Sequence, residues 1–334
     1  MLTYIVKRLL LLVPVILGIT VLTFIISRVI PADPAQVAAG LEAGPDQVAA
    51  LREEMGLDKP VAVQFIAYIN GLLHGDLGRS MRSKVPVRED LVRYLPATFE
   101  LAGVTILIYV LIGIPLGILS ATYRGRVGDL LVRILSVLGT AMPVFWVGLL
   151  LQILLFGKLH WFPAIGRIAA SVGAPTHITG LYLVDSLLTA NGPAFASSLR
   201  YLFMPVTTLV FGRIAVAVRL TRASMVEVLD KDYITFARGK GLPERTLVLK
   251  HGLRNALVPI VTIVALQFAW LLGGTVLVEY IFTWPGIGQY AIEAIINLDY
   301  APIMGIAVFM AIIFTVVNLL VDVLYCFLDP RIRW

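Results

Sequence analysis

Six long apolar stretches, separated by polar segments, dominate the sequence. They cover residues 9–30, 99–121, 134–156, 202–218, 257–278 and 303–327. A helix needs about 20 mainly apolar residues to cross the hydrocarbon core of a bilayer. The pattern therefore predicts an all-α membrane protein with six transmembrane helices. The first stretch is too long for the apolar part of a typical signal peptide, so we interpret it as a retained first helix. Pro143 lies inside the third stretch and predicts a kink there.

The charges predict the orientation of these helices. Basic residues cluster beside alternate stretches, at Lys7 and Arg8, in 123–133, in 219–256, and at Arg331 and Arg333. Cytoplasmic loops of membrane proteins carry an excess of Lys and Arg, so these segments and both chain ends are predicted to be cytoplasmic. Residues 279–302 contain no Lys or Arg, and 158–200 carry Trp161 and Phe162, which suit a membrane interface. Both segments are predicted to lie outside.

This topology divides the chain into four parts. Residues 1–30 form an N-terminal segment with transmembrane helix 1, 31–96 a long extracytoplasmic subdomain between helices 1 and 2, 97–328 the core of helices 2–6 with the cytoplasmic loop 219–256, and 329–334 a cytoplasmic tail. The polar subdomain contains two helix-like pieces, 44–55 and 61–73. It either contacts a protein that delivers a substrate or packs as a lid over the helices.

Composition excludes most soluble functions. Of the 334 residues 59% are hydrophobic and 14% charged, and the net charge is +6. The basic residues lie next to apolar stretches, so anionic lipid headgroups explain them better than a nucleic acid does, and no nucleic-acid partner is expected. The single cysteine, Cys326, is expected to be a small buried hydrophobe, and it allows no disulfide within the chain.

No catalytic motif is present. The chain lacks the G-x-x-x-x-G-K-[ST] phosphate loop, so it is not expected to bind or hydrolyse ATP. Its four histidines are spread over three loops on opposite sides of the predicted membrane, which argues against a metal cluster. We therefore expect a non-catalytic protein, with neither metal nor cofactor in this chain, that receives energy for transport from a partner or an ion gradient.

The cytoplasmic loop 219–256 is predicted to contain two short helices. Asp230 and Asp232 favour a helix start, because a side-chain oxygen can accept a free backbone N–H. Gly239 and Gly241 favour its end, because glycine tolerates left-handed geometry. Pro243 suits the first position of a second helix. The first helix would carry a face of small bulk, suited to the groove of a partner, formed by Ile234, Ala237 and Gly241.

Several motifs carry a resemblance to a known family. DYITFARGKGL followed by LKHGLRNALVP resembles the coupling loop of the first permease subunit of bacterial dipeptide, oligopeptide, nickel and glutathione ABC importers. The other matching motifs are MLTYIVKRLLLLVPVILGITVLTF at the start, IPADP, HGDLGRS, FTWPGIGQ and the closing LDPRIRW. Thr235 and Phe236 depart from the Glu and Ala of many importers, and the interval from Gly241 to Pro259 is longer.

The resemblance implies a type I ABC importer permease in the bacterial inner membrane. It implies a second homologous permease subunit forming a heterodimer, two ATP-binding subunits that hold ATP and Mg, and an extracytoplasmic solute-binding protein. It also implies an ATPase-coupling surface formed by Asp232, Tyr233, Phe236, Ala237, Lys240, Gly241, Glu244 and Arg245. Relatives carry dipeptides, oligopeptides, glutathione, nickel chelates or oligosaccharides, so the cargo stays open among these.

Three polar residues in or beside the apolar stretches are candidates for the substrate path. Arg213 lies inside the fourth stretch, where an unpaired charge is costly unless it faces protein or water. It either lines the path and meets a carboxylate, snorkels to the cytoplasmic surface, or pairs with an acid of the partner subunit. Gln267 either lines the path or bonds between helices. Glu279 either lines the path or is a solvated charge at a helix end.

Two other functions are compatible with six apolar stretches. A stand-alone secondary transporter or channel would require ionisable residues paired at mid-membrane, and apart from Arg213 the stretches lack them. A non-transport membrane scaffold would predict no dependence on an ATPase. The coupling-loop motif favours the importer over both alternatives.

Overall fold

A computed structural model describes residues 2–29, 34–40 and 43–328 of the chain. Residues 30–33 of the IPADP motif and the predicted tail 329–334 lie outside the described residues. The helices are α1 (Leu2–Val29), α2 (Pro34–Ala39), α3 (Pro45–Glu54), α4 (Val61–Leu73), α5 (Val87–Thr122), α6 (Val127–Ala141), α7 (Val144–Leu151), α8 (Tyr182–Leu188), α9 (Gly192–Leu229), α10 (Asp232–Gly239), α11 (Glu244–Thr246), α12 (Arg254–Gly274), α13 (Val276–Ile281), α14 (Ile287–Ile296) and α15 (Tyr300–Leu328). Gln152–Lys158 and Leu247–Leu253 form π-helical turns.

Four stretches of helix within the described residues are long and apolar enough to cross a membrane. They are Val87–Thr122, Gly192–Leu229, Glu244–Gly274 and Tyr300–Val321. They match the predicted second, fourth, fifth and sixth helices, and each begins before the apolar stretch that predicted it. Helix α1 is 28 residues long. Its apolar part, Val13–Ser27, is shorter than the four membrane-crossing segments. The count of six transmembrane helices stays a prediction.

The predicted third helix is broken at the proline. Val127–Gly139 and Val144–Lys158 meet at an angle of 97° and make up a fifth span if they are taken together. Met142 at the break is extended, with ψ 130°, and Pro143 precedes α7 as its N-cap. Proline has no backbone N–H and disfavours helical geometry in the residue before it. The predicted kink is therefore confirmed, and the chain leaves helical geometry there altogether.

The first of two compact units comprises residues 1–97 and 285–319. Its α3 and α4 correspond to the two predicted helix-like pieces. Its hydrophobic core gathers Val87 and Leu91 of α5, Ile287 and Tyr290 of α14, and Ile306 of α15. The HGDLGRS motif ends in this unit on Ser80, whose hydroxyl donates to the buried Asp299 carboxylate at 2.6 Å.

The second unit comprises, among the described residues, 98–284 and 320–328, and α9 runs through its centre. Asn191 caps α9 by accepting the Ala194 N–H at 3.1 Å, as expected for an N-cap residue. Helices α6, α7, α8 and α12 pack around α9. All the proposed coupling and pathway residues belong to this unit.

Two glycines let α5 approach α9 closely. A Cβ atom added to Gly113 would lie 2.5 Å from the Ala217 Cβ, and one added to Gly117 would lie 2.5 Å from the Thr221 Cβ. The two glycines are four residues apart and so share one face of α5. Small residues at this spacing are a frequent means of packing membrane helices.

Many large apolar side chains of the long helices are exposed. Examples are Leu111 of α5 at 59%, Trp270 of α12 at 63% and Leu320 of α15 at 60%. Water would make such surfaces unfavourable, whereas lipid or another apolar subunit covers them without cost. The exposure pattern agrees with the membrane location predicted from the sequence.

Candidate coupling and pathway sites

Helix α10 is the first of the short helices predicted in the 219–256 loop. It begins at Asp232, with Lys231 in extended geometry at the N-cap and no side-chain cap. The prediction that Asp230 or Asp232 caps this helix is therefore wrong. Asp232 instead lies in the first turn, where its negative charge interacts favourably with the helix dipole. Asp230 caps the end of α9 and pairs with Arg124 at 3.1 Å.

The end of α10 depends on one glycine. The Gly241 N–H donates to the Arg238 carbonyl at 3.0 Å, and the Leu242 N–H donates to the Ala237 carbonyl at 3.4 Å. Gly241 has φ +81°, and these two bonds form a Schellman motif. The prediction for Gly241 is thereby confirmed, whereas Gly239 is the last helical residue and has no left-handed geometry.

The outward face of α10 is aromatic rather than small. Ile234 is completely buried within this chain, so the predicted face of Ile234, Ala237 and Gly241 is not wholly free for a partner. The exposed large apolar residues of α10 are Tyr233 at 46% and Phe236 at 66%. Ile234 is buried because a short amphipathic helix needs an apolar anchor to its own chain, and Ile234 supplies that anchor.

Polar contacts hold these exposed groups in place. The Tyr233 hydroxyl accepts a hydrogen bond from the Asn255 amide at 3.1 Å. The Lys240 ammonium lies 4.5 Å above the Phe236 ring, within cation–π range. Tyr233, Phe236 and Lys240 together form one exposed patch, which we call the α10 patch. Aromatic residues flanked by cations are typical of the energetically important centre of protein interfaces.

The second predicted short helix is the beginning of a long one. Pro243 is the N-cap of α11, one position before the one predicted, and Glu244 is the first helical residue. From Glu244 the chain continues through the π-helical turns into α12 without leaving helical geometry, over 31 residues in total. The predicted fifth apolar stretch, 257–278, overlaps only part of this helix.

Charged residues of the loop pair with each other at the turn between α10 and α11. The Arg238 guanidinium binds the Glu244 carboxylate at 2.5 Å, and both side chains are exposed. The hydrogen bond and the charge of Glu244 raise the pKa of Arg238. Arg245 is exposed beside this pair. The predicted coupling residues Ala237, Lys240, Glu244 and Arg245 therefore lie on or next to this turn, whereas Asp232 lies at the other end of α10.

The π-helical turns fix the loop to α9. Leu247 and Val248 are buried there. Gly252 lets the turn approach α9 closely, since an added Cβ would lie 3.1 Å from the Met225 Cε and 3.2 Å from the Leu229 Cδ2. Helix α10 packs against the same turns. These turns thus connect α10 to both α9 and α12.

Asp129 joins three helices beside the loop, and the sequence did not single it out. Its carboxylate binds the Arg222 guanidinium of α9 through two bonds, at 2.8 and 3.1 Å. It also accepts the Ser120 hydroxyl of α5 at 2.6 Å and the Gly125 N–H at 3.1 Å. Asp129 itself is in α6 and is 1% exposed. Its occurrence as a lone acid within the basic turn 123–133 was the sequence signal that could have identified Asp129.

The structure brings together two of the three pathway candidates. The Arg213 Nη1 donates to the Gln267 Oε1 at 2.7 Å, which links α9 to α12. Gln267 therefore bonds between helices, one of its two predicted alternatives. Gln267 is also partly exposed, so a place on the path is not thereby removed.

Glu279 is not with them. It is completely buried and accepts hydrogen bonds from the hydroxyls of Thr98 at 2.9 Å and Thr275 at 2.8 Å. The alternative that Glu279 is a solvated charge at a helix end is therefore wrong. Its hydrogen bonds join α5 to the start of α13, which is the kind of satisfied burial a carboxylate requires.

A second buried polar cluster lies near the start of α9, at the opposite end from the 219–256 loop. Arg167 donates two hydrogen bonds to the Glu100 Oε2, at 2.9 and 2.6 Å, and stacks 3.7 Å from the Tyr182 ring centroid. Asp185 accepts bonds from residues 178–180. Burial alone would raise the pKa of Asp185, but these hydrogen bonds hold the pKa below its ordinary value. The cluster orders the predicted outside loop 158–200.

Two family profiles match the chain. Residues 113–334 match the binding-protein-dependent transport system inner membrane component family. Residues 1–102 match the N-terminal family of the membrane components of these systems. The two profiles together reach from the first residue to the last.

Curated relatives match over nearly their whole length. A probable D,D-dipeptide transport system permease protein of Escherichia coli K12 is 46% identical, over 96% of this chain and 94% of that protein. A dipeptide transport system permease protein of Alkalihalophilus pseudofirmus is 41% identical over 100% of both chains. A glutathione transport system permease protein of Salmonella paratyphi A is 38% identical, also over 100% of both.

A solved structure shares the fold. The inward-facing methionine ABC transporter MetNI contains a chain that is 16% identical and superposes with a TM-score of 0.54. The superposition covers 72% of this chain and 96% of that chain. At this identity the likeness concerns the fold alone.

Proposed function

This chain belongs to the family of inner-membrane components of binding-protein-dependent transport systems, and from that premise we propose that it forms half of the pore of an importer for di- or oligopeptides. It is a non-catalytic permease subunit of an ABC importer. The peptide cargo is supported by relatives that transport D,D-dipeptides, dipeptides and glutathione, at 38 to 46% identity over nearly the whole chain.

The assembly we propose contains several other chains. A second, homologous permease subunit would complete the pore as a heterodimer, two ATP-binding subunits would hold ATP and Mg, and an extracytoplasmic binding protein would deliver the peptide. We propose six transmembrane helices in the bacterial inner membrane, with both chain ends and the 219–256 loop in the cytoplasm. The clustering of basic residues in that loop supports this orientation.

The observation that carries the proposed mechanism is the α10 patch. Its aromatic residues are exposed, while Ile234 of the same helix is completely buried. A helix that is fixed to its own chain on one side and presents aromatic rings on the other suits insertion into a cleft of an ATPase subunit. The neighbouring π-helical turns pack on α9 and continue into α12, so force applied to α10 would reach two membrane helices.

In this mechanism ATP binding alters the position of α10. Closure of the two ATPase subunits would bring the coupling helices of both permease subunits together. Helices α9 and α12 would then exchange an inward-open arrangement for an outward-open one. Such a change is a shift between two populated states, and ATP drives it only through contacts that differ between those states.

The central test removes one aromatic contact. Phe236 is 66% exposed, so Phe236→Asp should leave the folding and insertion of this chain intact. We expect the variant to lose co-purification of the ATP-binding subunits and ATP-dependent peptide uptake in proteoliposomes, because a carboxylate replaces the ring in an apolar cleft.

Leu188→Asp is the matched control. Leu188 is equally exposed, at 62%, but lies in α8 at the opposite end of α9. This control should retain the ATP-binding subunits. If Phe236→Asp also retains them and transports normally, the coupling role of α10 is wrong. Uptake by this chain alone, without ATP, would favour a stand-alone transporter instead.

A further inference from the structure

We infer that Arg213 and Gln267, with Tyr109 beside them, form a carboxylate-binding subsite through which the transported peptide passes. The inference rests on the proposed peptide importer and adds a recognition element within the pore-forming chain itself. The ligand group is the carboxylate that every free peptide carries at its C-terminus.

The position of Arg213 requires an explanation. It lies within α9, one of the helices long and apolar enough to cross a membrane, and its side chain is partly exposed. No carboxylate among the residues that the structure describes forms an ion pair with it. A cation in such a helix is rarely tolerated unless it faces protein or water, and it commonly marks a substrate path.

The guanidinium points away from the 219–256 loop. It bonds Gln267 in the middle of α12, and its Nη2 lies 3.0 Å from where a Cβ of Gly274 would be. Because α12 starts at the loop and ends at Gly274, this direction is opposite to snorkelling toward the loop. It agrees with the general lean of helical side chains toward the helix N-terminus.

The surroundings of Arg213 leave hydrogen-bond donors for an anion. A guanidinium has five N–H donors, and Gln267 accepts from one of them. Gly274 has no side chain, which lets Nη2 approach the α12 backbone closely. The Tyr109 hydroxyl is buried and has no hydrogen-bond partner among the described residues, and the tyrosine lies within electrostatic range of Arg213. Among the residues that the structure describes, Tyr109 is therefore an O–H donor without an acceptor, within electrostatic range of a cation without an anion.

A carboxylate is the group that satisfies both. Arginine binds a carboxylate through two parallel N–H···O bonds, and a tyrosine hydroxyl can donate a third. The Gln267 amide N–H₂ remains as a further donor once its oxygen has positioned the guanidinium. Because α9 and α12 both receive force from the 219–256 loop, movement of either helix would open or close this subsite during transport.

The test uses cysteine chemistry, which the sequence makes simple. The chain contains one cysteine, Cys326, so Cys326→Ser provides a background without thiols. Arg213→Cys in that background is assembled with the complete importer in proteoliposomes. The position is then modified with an aminoethyl or a sulfonatoethyl methanethiosulfonate, which attaches a cation or an anion respectively. ATP-dependent dipeptide uptake is measured before and after modification.

We expect Arg213→Cys to lower uptake at least ~10-fold and the aminoethyl reagent to restore it at least ~3-fold, because an arginine that binds a carboxylate acts through its positive charge. The sulfonatoethyl reagent should give no recovery, and excess dipeptide with ATP should slow labelling. Arg213→Lys keeps the cation but loses the two parallel N–H donors, so its uptake should fall between that of Arg213→Cys and that of the wild type. Arg219→Gln, an exposed cation of the same helix, should transport normally. The Cys326→Ser importer treated with each reagent reveals any effect at the partner chains.

Three outcomes would overturn the inference while leaving the importer intact: normal uptake by Arg213→Cys, no reaction of the introduced thiol with either reagent, or equal effects of the cationic and anionic reagents. An importer whose wild type transports no peptide with ATP would instead overturn the proposed function, and with it the peptide as the source of the carboxylate. Recovery of the assembled variant complex by gel filtration separates lost folding from lost binding.

Discussion

Replacing Asp129 by Asn is expected to destabilise the end of the helix bundle beside the coupling helix. The carboxylate accepts two bonds from Arg222, one from Ser120 and one from Gly125. An amide of the same size has one oxygen for these donors and turns its N–H₂ toward the guanidinium. Removing one member of a buried ion pair costs about 3–5 kcal/mol. Arg222 is 24% exposed and can regain some water, so we expect about 3 kcal/mol for this variant.

The assay is thermal unfolding of the purified importer, followed by intrinsic fluorescence. A loss of about 3 kcal/mol corresponds to a decrease in Tm of about 6 °C, taking about 2 °C per kcal/mol for a large domain. Asp230→Asn is the matched control. Asp230 also pairs with an arginine, Arg124, but both side chains are more than half exposed, so we expect a change within about 0.5 kcal/mol.

A double-mutant cycle decides whether the pair itself is responsible. Arg222→Gln leaves the buried Asp129 carboxylate without its cation and should cost at least as much as Asp129→Asn. The double variant should cost less than the sum of the two single variants, because neither buried charge remains. Additive costs, or a Tm for Asp129→Asn within about 1 °C of the control, would refute the reasoning.

Three further predictions concern glycine packing, the end of α10 and pH. Gly117→Ala should separate α5 from α9 and lower stability by about 1–3 kcal/mol in thermal unfolding, since its Cβ would lie 2.5 Å from the Thr221 Cβ; Gly103→Ala on the same helix meets no atom within 4 Å and should be neutral or stabilising. Gly241→Ala, at φ +81°, should cost about 1 kcal/mol and reduce ATP-dependent uptake, whereas unchanged stability and uptake would contradict the Schellman assignment. Hydrogen bonds hold the pKa of Asp185 below its ordinary value, so the ionised carboxylate adds to the free energy of unfolding at neutral pH, and this contribution is lost as pH falls below about 4. The Tm difference between wild type and Asp185→Asn should therefore shrink from about pH 7 to about pH 3. A Tm difference that stays constant with pH would contradict this prediction.

The elements that depend on local composition were predictable. The apolar stretches of about 20 residues were sufficient for α5, α9, α12 and α15, and Pro143 was sufficient for the break before α7. Gly241 was identified as a helix terminator because the left-handed geometry it adopts is unfavourable for other residues. The helix ends were less accurate, since α9 and α12 extend into polar sequence where packing, rather than hydropathy, maintains the helix.

Pairings between distant residues could not be predicted. The sequence separates Asp129 from Arg222 by 93 positions and Arg167 from Glu100 by 67. Local pattern could mark Asp129 as the lone acid of a basic turn, but it does not identify Arg222 as its partner, nor Glu100 as the partner of Arg167. The alternative of a solvated helix end failed for Glu279 for the same reason: its position at the end of an apolar stretch resembles a solvated terminus, yet it is buried against two threonine hydroxyls.

The sequence by itself determined that the chain is a helical membrane protein, where its apolar helices fall and which segment carries the family's coupling motif, because hydropathy and motif spacing are properties of consecutive residues. The tertiary structure decided which face of α10 points outward, that Arg213 meets Gln267, and that Asp129 ties three helices together. These features depend on which face each helix presents to its neighbours. That orientation is set by close contacts between residues far apart in the chain, such as those of Gly113 with Ala217 and of Gly252 with Met225.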